Sequence, residues 1–215
     1  MKLKGFIFDL DGTLINSLPI VRTSLSNTLL RFAGREYSTN ELSSLFGPSE
    51  DGIFKKLFPD SWQESLQFYL DEYNRLHVDY SDPFPGIVEA LTLLQERKVK
   101  LALVSGKGAG SMEISLRHSG IKHFFEMIIT GSEHSASKPE HIKQILKHWH
   151  LKPDEAAYVG DIAYDVHAAK EAGVLSISAL WAETAQVEKV LAMNPAFAFK
   201  DVASFIEWIR KTVPS

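Results

Sequence analysis

Phe6-Ile7-Phe8-Asp9-Leu10-Asp11-Gly12-Thr13 is the stretch on which the reading of this chain turns. The apolar run Phe6 to Leu10 has the length and β-forming composition of a buried strand. It carries two acids two residues apart, and on a strand such residues share a face, so Asp9 and Asp11 address one site. Two carboxylates that close raise the pKa of one member unless a cation neutralises the pair. With magnesium present, an ionised Asp9 can attack phosphorus. A protonated Asp11 can then donate to the leaving oxygen and later take a proton from water. Gly12 lets the backbone turn sharply and leaves amide donors for phosphate oxygens, with Thr13 capping or positioning the turn, so Gly12 and Thr13 are both candidates for the phosphate. Asp-Gly alone is also an ordinary hairpin signal, so the rest of the chain has to decide.

Outward from this stretch, short apolar runs alternate with helical patterns. The runs are Val99 to Val104, Glu126 to Thr130, Ala156 to Val159, Val174 to Ser178 and Ala196 to Phe199. The helical stretches are Gly86 to Arg97, Gly108 to Ser119, Pro139 to Trp149, Ala163 to Ala172 and Glu183 to Met193, with Gly120 and Gly173 suited to helix C-termini. This alternation predicts an α/β fold, a doubly wound, Rossmann-like parallel sheet. Residues 17–82 show only helical signals, far more chain than a crossover needs. Within them Ser38-Thr39-Asn40-Glu41 reads as a capping box and Gly47-Pro48 as a break, while Trp62, Leu66, Tyr69, Leu70 and Tyr73 recur at helical spacing. The expected organisation is a core of residues 1–16 and 83–215 carrying an inserted helical cap, 17–82. The aromatic stripe in the insert is packing rather than a ligand site.

Three further motifs fall at the ends of predicted strands. Gly160-Asp161-Ile162-Ala163-Tyr164-Asp165 follows Ala156 to Val159 and opens a helix. Acids at i and i+4 repel, and a hard divalent ion that takes carboxylates, water and phosphate oxygens relieves this, so Asp161 is the expected metal ligand, supported by Asp165. Lys138-Pro139 begins another helix, where a cation opposes the dipole, as expected if Lys138 neutralises phosphate and carboxylates. Ser105-Gly106-Lys107 ends the Val99 to Val104 run, placing a hydroxyl and amides before a helix N-terminus. Open sheets bind ligands at the carboxyl ends of their strands, so the joint placement carries the reading. His141 and His148, two turns apart on one predicted helix, are too distant to chelate and are expected at the surface.

Composition sets outer bounds. Of 215 residues, 45% are apolar and 23% charged, a folded composition. The net charge of −4 offers no basic excess for nucleic acid. Without cysteine there are no disulfides, thiolate metal sites or cysteine nucleophiles, so a metal must use oxygen or imidazole. No apolar stretch has membrane length, and Met1 to Asp9 is too short in its apolar run for a signal sequence, so the expected location is the cytoplasm.

Asp9-x-Asp11-Gly12-Thr13, Ser105, Lys138-Pro139 and Gly160-Asp161-x-x-x-Asp165, in this order over nearly the whole chain, resemble the haloacid dehalogenase superfamily. Pro85-Gly86-Ile87 before a helix, Leu101 to Ser105, and Gly47-Pro48-Ser49-Glu50 are similar to its phosphoglycolate phosphatase-like branch. The resemblance implies Asp9 as nucleophile, Asp11 as acid and base, Mg2+ on Asp9, Asp161 and the Asp11 carbonyl, and phosphate held by Ser105 and Lys138, with Gly106 offering its amide. It departs from the family pattern at Gly106, Ile162 and Asn16, none of which removes a catalytic group. The expected enzyme is a magnesium-dependent phosphatase that takes a small phosphorylated metabolite such as a phosphoglycolate-like ester, pyrophosphate or a sugar phosphate, through an aspartyl-phosphate. Ser49, Glu50 and Lys55 are the cap candidates for specificity. The alternatives are a sugar phosphomutase, opposed by the absence of a cap histidine near Leu18 to Val21, and a non-catalytic binding protein, opposed by the complete set of catalytic groups.

Overall fold

The computed structural model describes residues 3–79, 82–134 and 137–213. Its centre is a parallel sheet of β1 (Gly5–Phe8), β2 (Lys100–Val104), β3 (Met127–Ile129), β4 (Ala156–Gly160), β5 (Leu175–Ala179) and β6 (Phe197–Phe199) in the order β3-β2-β1-β4-β5-β6. This is the doubly wound arrangement, with its switch point between β1 and β4, where open sheets gather ligands. Phe8 registers with Leu103 of β2 and Val159 of β4, so three strands finish level beside the first acidic turn.

Alternation on β1 builds both layers. Phe6 and Phe8 point to one face and pack with residues of α5 (Ile87–Glu96) and α10 (Val202–Thr212), among them Leu91, Leu94, Phe205 and Ile209. Ile7 points to the other face and meets Ile142, Ile145 and Trp149 of α7 (Lys138–Trp149) and Ala168 and Ala169 of α8 (Ala163–Ala172). α6 (Ala109–Ser119) and α8 end at Gly120 and Gly173, both with positive φ, as expected of C-terminal glycines. α9 is shorter than the sequence pattern implies, Val187–Ala192, because the chain first turns, with Ala185 N donating to Ala182 O at 3.0 Å.

α10 was not anticipated at all. Its signals are nonetheless plain: the Asp201 side chain accepts from Ser204 N at 2.7 Å, and Val202, Phe205, Ile206 and Ile209 form one buried face.

Between β1 and α5 the chain forms α1 (Leu18–Ala33), α2 (Thr39–Leu45), α3 (Glu50–Leu57) and α4 (Trp62–Leu76). Both bonds of the Ser38/Glu41 capping box are present, at 2.8 and 3.3 Å. These helices have their own core of Ile20, Leu25, Leu29, Phe54, Tyr69 and Tyr73, with Trp62, Leu66 and Leu70 against it. None of the helices among the described residues is long and apolar enough to cross a membrane.

The helical layer is fastened to α6 by polar groups. Tyr73 Oη lies 2.9 Å from Ser115 Oγ, and His77 Nε2 lies 3.2 Å from the same hydroxyl. The His77 ring meets Tyr73 edge-on and stacks on His118. Burial, reinforced by the charge of Lys107 and by His118, pushes the His77 imidazole down from 6.5 to about 4. The folded protein therefore keeps His77 neutral while the unfolded chain protonates it, so stability falls as pH drops from about 6.5 to about 4. In His77→Gln, urea denaturation at a series of pH values is expected to show a shallower loss across that window; an unchanged slope contradicts the account.

Candidate active site

β1 ends at Phe8, and Asp9 follows at once, its amide donating to Val159 O at 2.9 Å. The chain then turns: Leu14 N donates to Leu10 O at 2.8 Å and Gly12 N to Ile15 O at 2.9 Å. Asp9 and Asp11 thus belong to a turn rather than to one strand face, though both border the same cavity. The turn also reassigns Gly12 and Thr13. Their amides are taken by Ile15 O and Leu10 O, and neither residue borders the cavity. Gly12 has φ +76°, and a Cβ there would overlap the Asp161 carboxylate, while Thr13 Oγ1 donates to Asp161 Oδ1 at 3.3 Å. Both residues seat Asp161. The amides of Leu10, Asp11 and Gly106 have no acceptor among the described residues.

Four charges meet at the switch point, all withdrawn from water: Asp9 (6% exposed), Lys138 (7%), Asp161 (3%) and Asp165 (2%). Lys138 Nζ lies 2.8 Å from Asp9 Oδ2 and 2.6 Å from Asp165 Oδ1. Asp165 also receives Tyr158 Oη at 3.3 Å and, on its other oxygen, Ile162 N at 3.0 Å, so both its oxygens have partners. Asp9 Oδ1 is buried with no partner.

Three carboxylates against one ammonium leave excess negative charge in a desolvated place, a costly arrangement. Burial, offset by Lys138 and reinforced by Asp165 and Asp11, raises Asp9 to about 6. Burial, then Asp165 and Asp9, raises Asp161 well above its ordinary value. Lys138 is held well above its own, because Asp165 and Asp9 outweigh burial.

A divalent cation fits this cluster. Asp9, Asp161 and Asp165 each present an oxygen, all within 4.8 Å of one another, and three buried carboxylates against one ammonium are the donor set a hard ion takes. Asp165, with partners on both oxygens, supports the set by fixing Lys138.

The carboxylate of Asp11 turns away, to Ser17 Oγ and, at 3.2 Å, Lys107 Nζ. Lys107 is a site residue that the sequence reading quoted without assigning a role. It is buried, lies 4.4 Å from the Tyr73 ring centroid, and borders the cavity. Burial opposes its charge, but Asp11, Tyr73 and Glu50 together hold the ammonium above its ordinary value.

The cavity, about 350 Å³, lies between the strand ends and the helices α1 to α4. Ser105, Gly106, Lys138, Asp161 and Glu50 border it; Ser49 and Lys55 do not. Ser49 is buried with its amide on Ser132 O, and Lys55 reaches Glu133 at 2.7 Å and the Trp62 ring instead. Glu50 accepts from Gly108 N at the start of α6 and from Ser111 Oγ at 2.6 Å, a carboxylate on a helix N-terminus. His141 departs from its expected surface position: it is half-buried, lies 3.2 Å from Ser137 Oγ and borders the cavity, whereas His148 is exposed.

A buried acid cluster at the switch point of a doubly wound sheet, roofed by helices, places the chain among α/β proteins with an acidic strand-end site. The chain belongs to the haloacid dehalogenase-like hydrolases, whose family pattern matches residues 6–179. Pyrophosphatase PpaX of Bacillus pumilus (strain SAFR-032) is 28% identical over 202 residues, 93% of each chain. The haloacid dehalogenase-like protein SP0104 of Streptococcus pneumoniae superposes with TM-score 0.76 at 22% identity, over 96% of this chain and 98% of that one. CbbY of Rhodobacter sphaeroides, solved with phosphate, gives 0.76 at 15% identity, over 94% and 96%. These two likenesses concern the fold.

Gly12→Ala tests the seating of Asp161. A left-handed φ costs an alanine about 1–2 kcal/mol, a modest loss of stability. Displacing Asp161 is expected to weaken Mn2+ binding, followed by electron paramagnetic resonance, about 10- to 100-fold. Unchanged affinity contradicts the assignment.

Proposed function

We propose that the chain is a magnesium-dependent phosphatase of small phosphorylated metabolites that works through a phosphoryl group carried on Asp9. The observation that carries this is the division of labour on one carboxylate: Oδ2 is held by Lys138 at 2.8 Å while Oδ1 is buried and unpartnered. Lys138 fixes the orientation of the nucleophile and leaves one oxygen to attack. Magnesium held by Asp9 and Asp161 would offset the negative charge gathered on the phosphoryl oxygens.

Asp9 Oδ1 forms the new bond to phosphorus as the bond to the leaving oxygen breaks. Ser105 Oγ, the open amides of Asp11 and Gly106, and Lys138 supply donors for the equatorial oxygens. Asp11, as it stands, accepts from Ser17 and Lys107, the arrangement of a base that takes a proton from the water attacking phosphoryl-Asp9. Donation to the leaving oxygen in the first step requires the carboxyl to carry a proton and turn from Lys107. In this reading residues 17–82 are a cap closing over the leaving group and residues 1–16 with 83–215 are the catalytic core.

PpaX is named a pyrophosphatase, so inorganic pyrophosphate belongs among the substrates tried alongside phosphomonoesters. A phosphate-release screen is expected to find turnover that a chelator abolishes and Mg2+ restores. Asp9→Asn is expected to reduce it about a thousandfold or more. Undiminished release by Asp9→Asn contradicts the reading.

A further inference from the structure

Arg22 lies on α1 one turn beyond Leu18, half-buried, and borders the same cavity as Asp9 and Asp11. The two lysine ammonium groups around that cavity are committed: Lys107 to Asp11, Lys138 to Asp9 and Asp165. Arg22 has no hydrogen bond, ion pair or ring contact among the described residues. Four acids border the cavity with it, yet none reaches it. Asp9 and Asp11 are taken by lysines, Glu50 by Gly108 N and Ser111, and Asp161 sits in the buried cluster with Thr13.

The apolar part of the cavity roof that Arg22 shares is Leu18, Val21, Leu25, Phe46, Pro48 and Ile53, with Ser43 and Glu50 its polar members. A half-buried guanidinium with no counter-charge favours an anionic partner. The phosphoryl end of a substrate is already provided for at the floor by Lys138, Ser105 and the open amides. The uncommitted fork therefore faces the leaving group. Glu50 does not cancel this preference, because its carboxylate is spent on the N-terminus of α6.

We infer that Arg22 is a specificity residue that selects phosphoesters whose leaving group bears a second anion, a carboxylate or another phosphate. The inference rests on the phosphatase reading and deepens it. It makes Arg22, and not the Ser49, Glu50 or Lys55 considered from the sequence, the group of the helical roof that reads the leaving group by charge.

The test uses two esters that differ in one charge, the terminal phosphate esters of glycerate and of glycerol. In the wild-type protein with Mg2+, kcat/KM for the glycerate ester is expected to exceed that for the glycerol ester about tenfold or more. Arg22→Met is expected to bring the ratio close to one, and Arg22→Lys to keep part of it, since an ammonium retains the charge but not the bidentate fork. A ratio of one in the wild type, or an unaltered ratio in Arg22→Met, overturns the inference.

The same esters titrated calorimetrically into Asp9→Asn, with and without Arg22→Met, read the preference with no turnover. A charge preference there that Arg22→Met removes upholds the inference even where neither ester is hydrolysed and the phosphatase reading falls. Equal affinity for both esters, or binding of neither, overturns it.

Discussion

Lys138 Nζ, 2.8 Å from Asp9 Oδ2 and 2.6 Å from Asp165 Oδ1 with all three groups buried, is the contact from which the rest of the site follows. A lysine at a helix N-terminus opposes the helix dipole, and a buried ammonium is tolerated only when carboxylates surround it. Here they do, one from the end of β1 and one from the first turn of α8. The ion pairs consume one oxygen of each partner and leave the other oxygen of Asp9 without a partner. They do not complete the charge balance, because Asp161 adds a third carboxylate. The same deficit that makes the resting cluster costly makes it receptive to a divalent cation and then to a phosphoryl group.

The topology makes this meeting possible without any long-range device. In the order β3-β2-β1-β4-β5-β6, the strands preceding Asp9, Ser105 and Asp161 are neighbours that end level, and the loop after β3 delivers Lys138. Close approaches are then protected by small residues: a Cβ on Gly12 would overlap Asp161, and one on Gly160 would overlap Asp165. Above this floor, the helices α1 to α4 carry a separate apolar core. They touch the floor through Glu50 with α6, Tyr73 with Ser115 and Lys107, and the packing of Ile114 of α6 against their apolar core.

What was legible in the sequence was local. Each strand is a short apolar run, and Asp9, Ser105 and Asp161 stand where such runs end, so the sheet and the meeting of these three residues follow from spacing, while Lys138 lies a loop beyond β3 and Asp165 one turn into α8. What was not legible depends on approach between distant segments. Nothing near Lys107 in sequence announces that it lies buried between Asp11 and Tyr73. Likewise Glu50 is committed by α6, and Lys55 is drawn away by Glu133, a partner 78 residues on. Gly12 and Thr13 looked like phosphate donors because turn composition does not reveal which carbonyls occupy the amides. α10 is the exception: its cap and apolar face were present in the sequence and went unread.

The central claim is a covalent bond between Asp9 and phosphorus. Reduction with borohydride during turnover, followed by peptide mapping, reads it most directly, since an acyl phosphate is reduced to an alcohol while a free carboxylate is not. The account predicts homoserine at position 9 only when substrate and Mg2+ are both present. Turnover with Asp9 recovered entirely as aspartate, or with the label at another carboxylate, would contradict it.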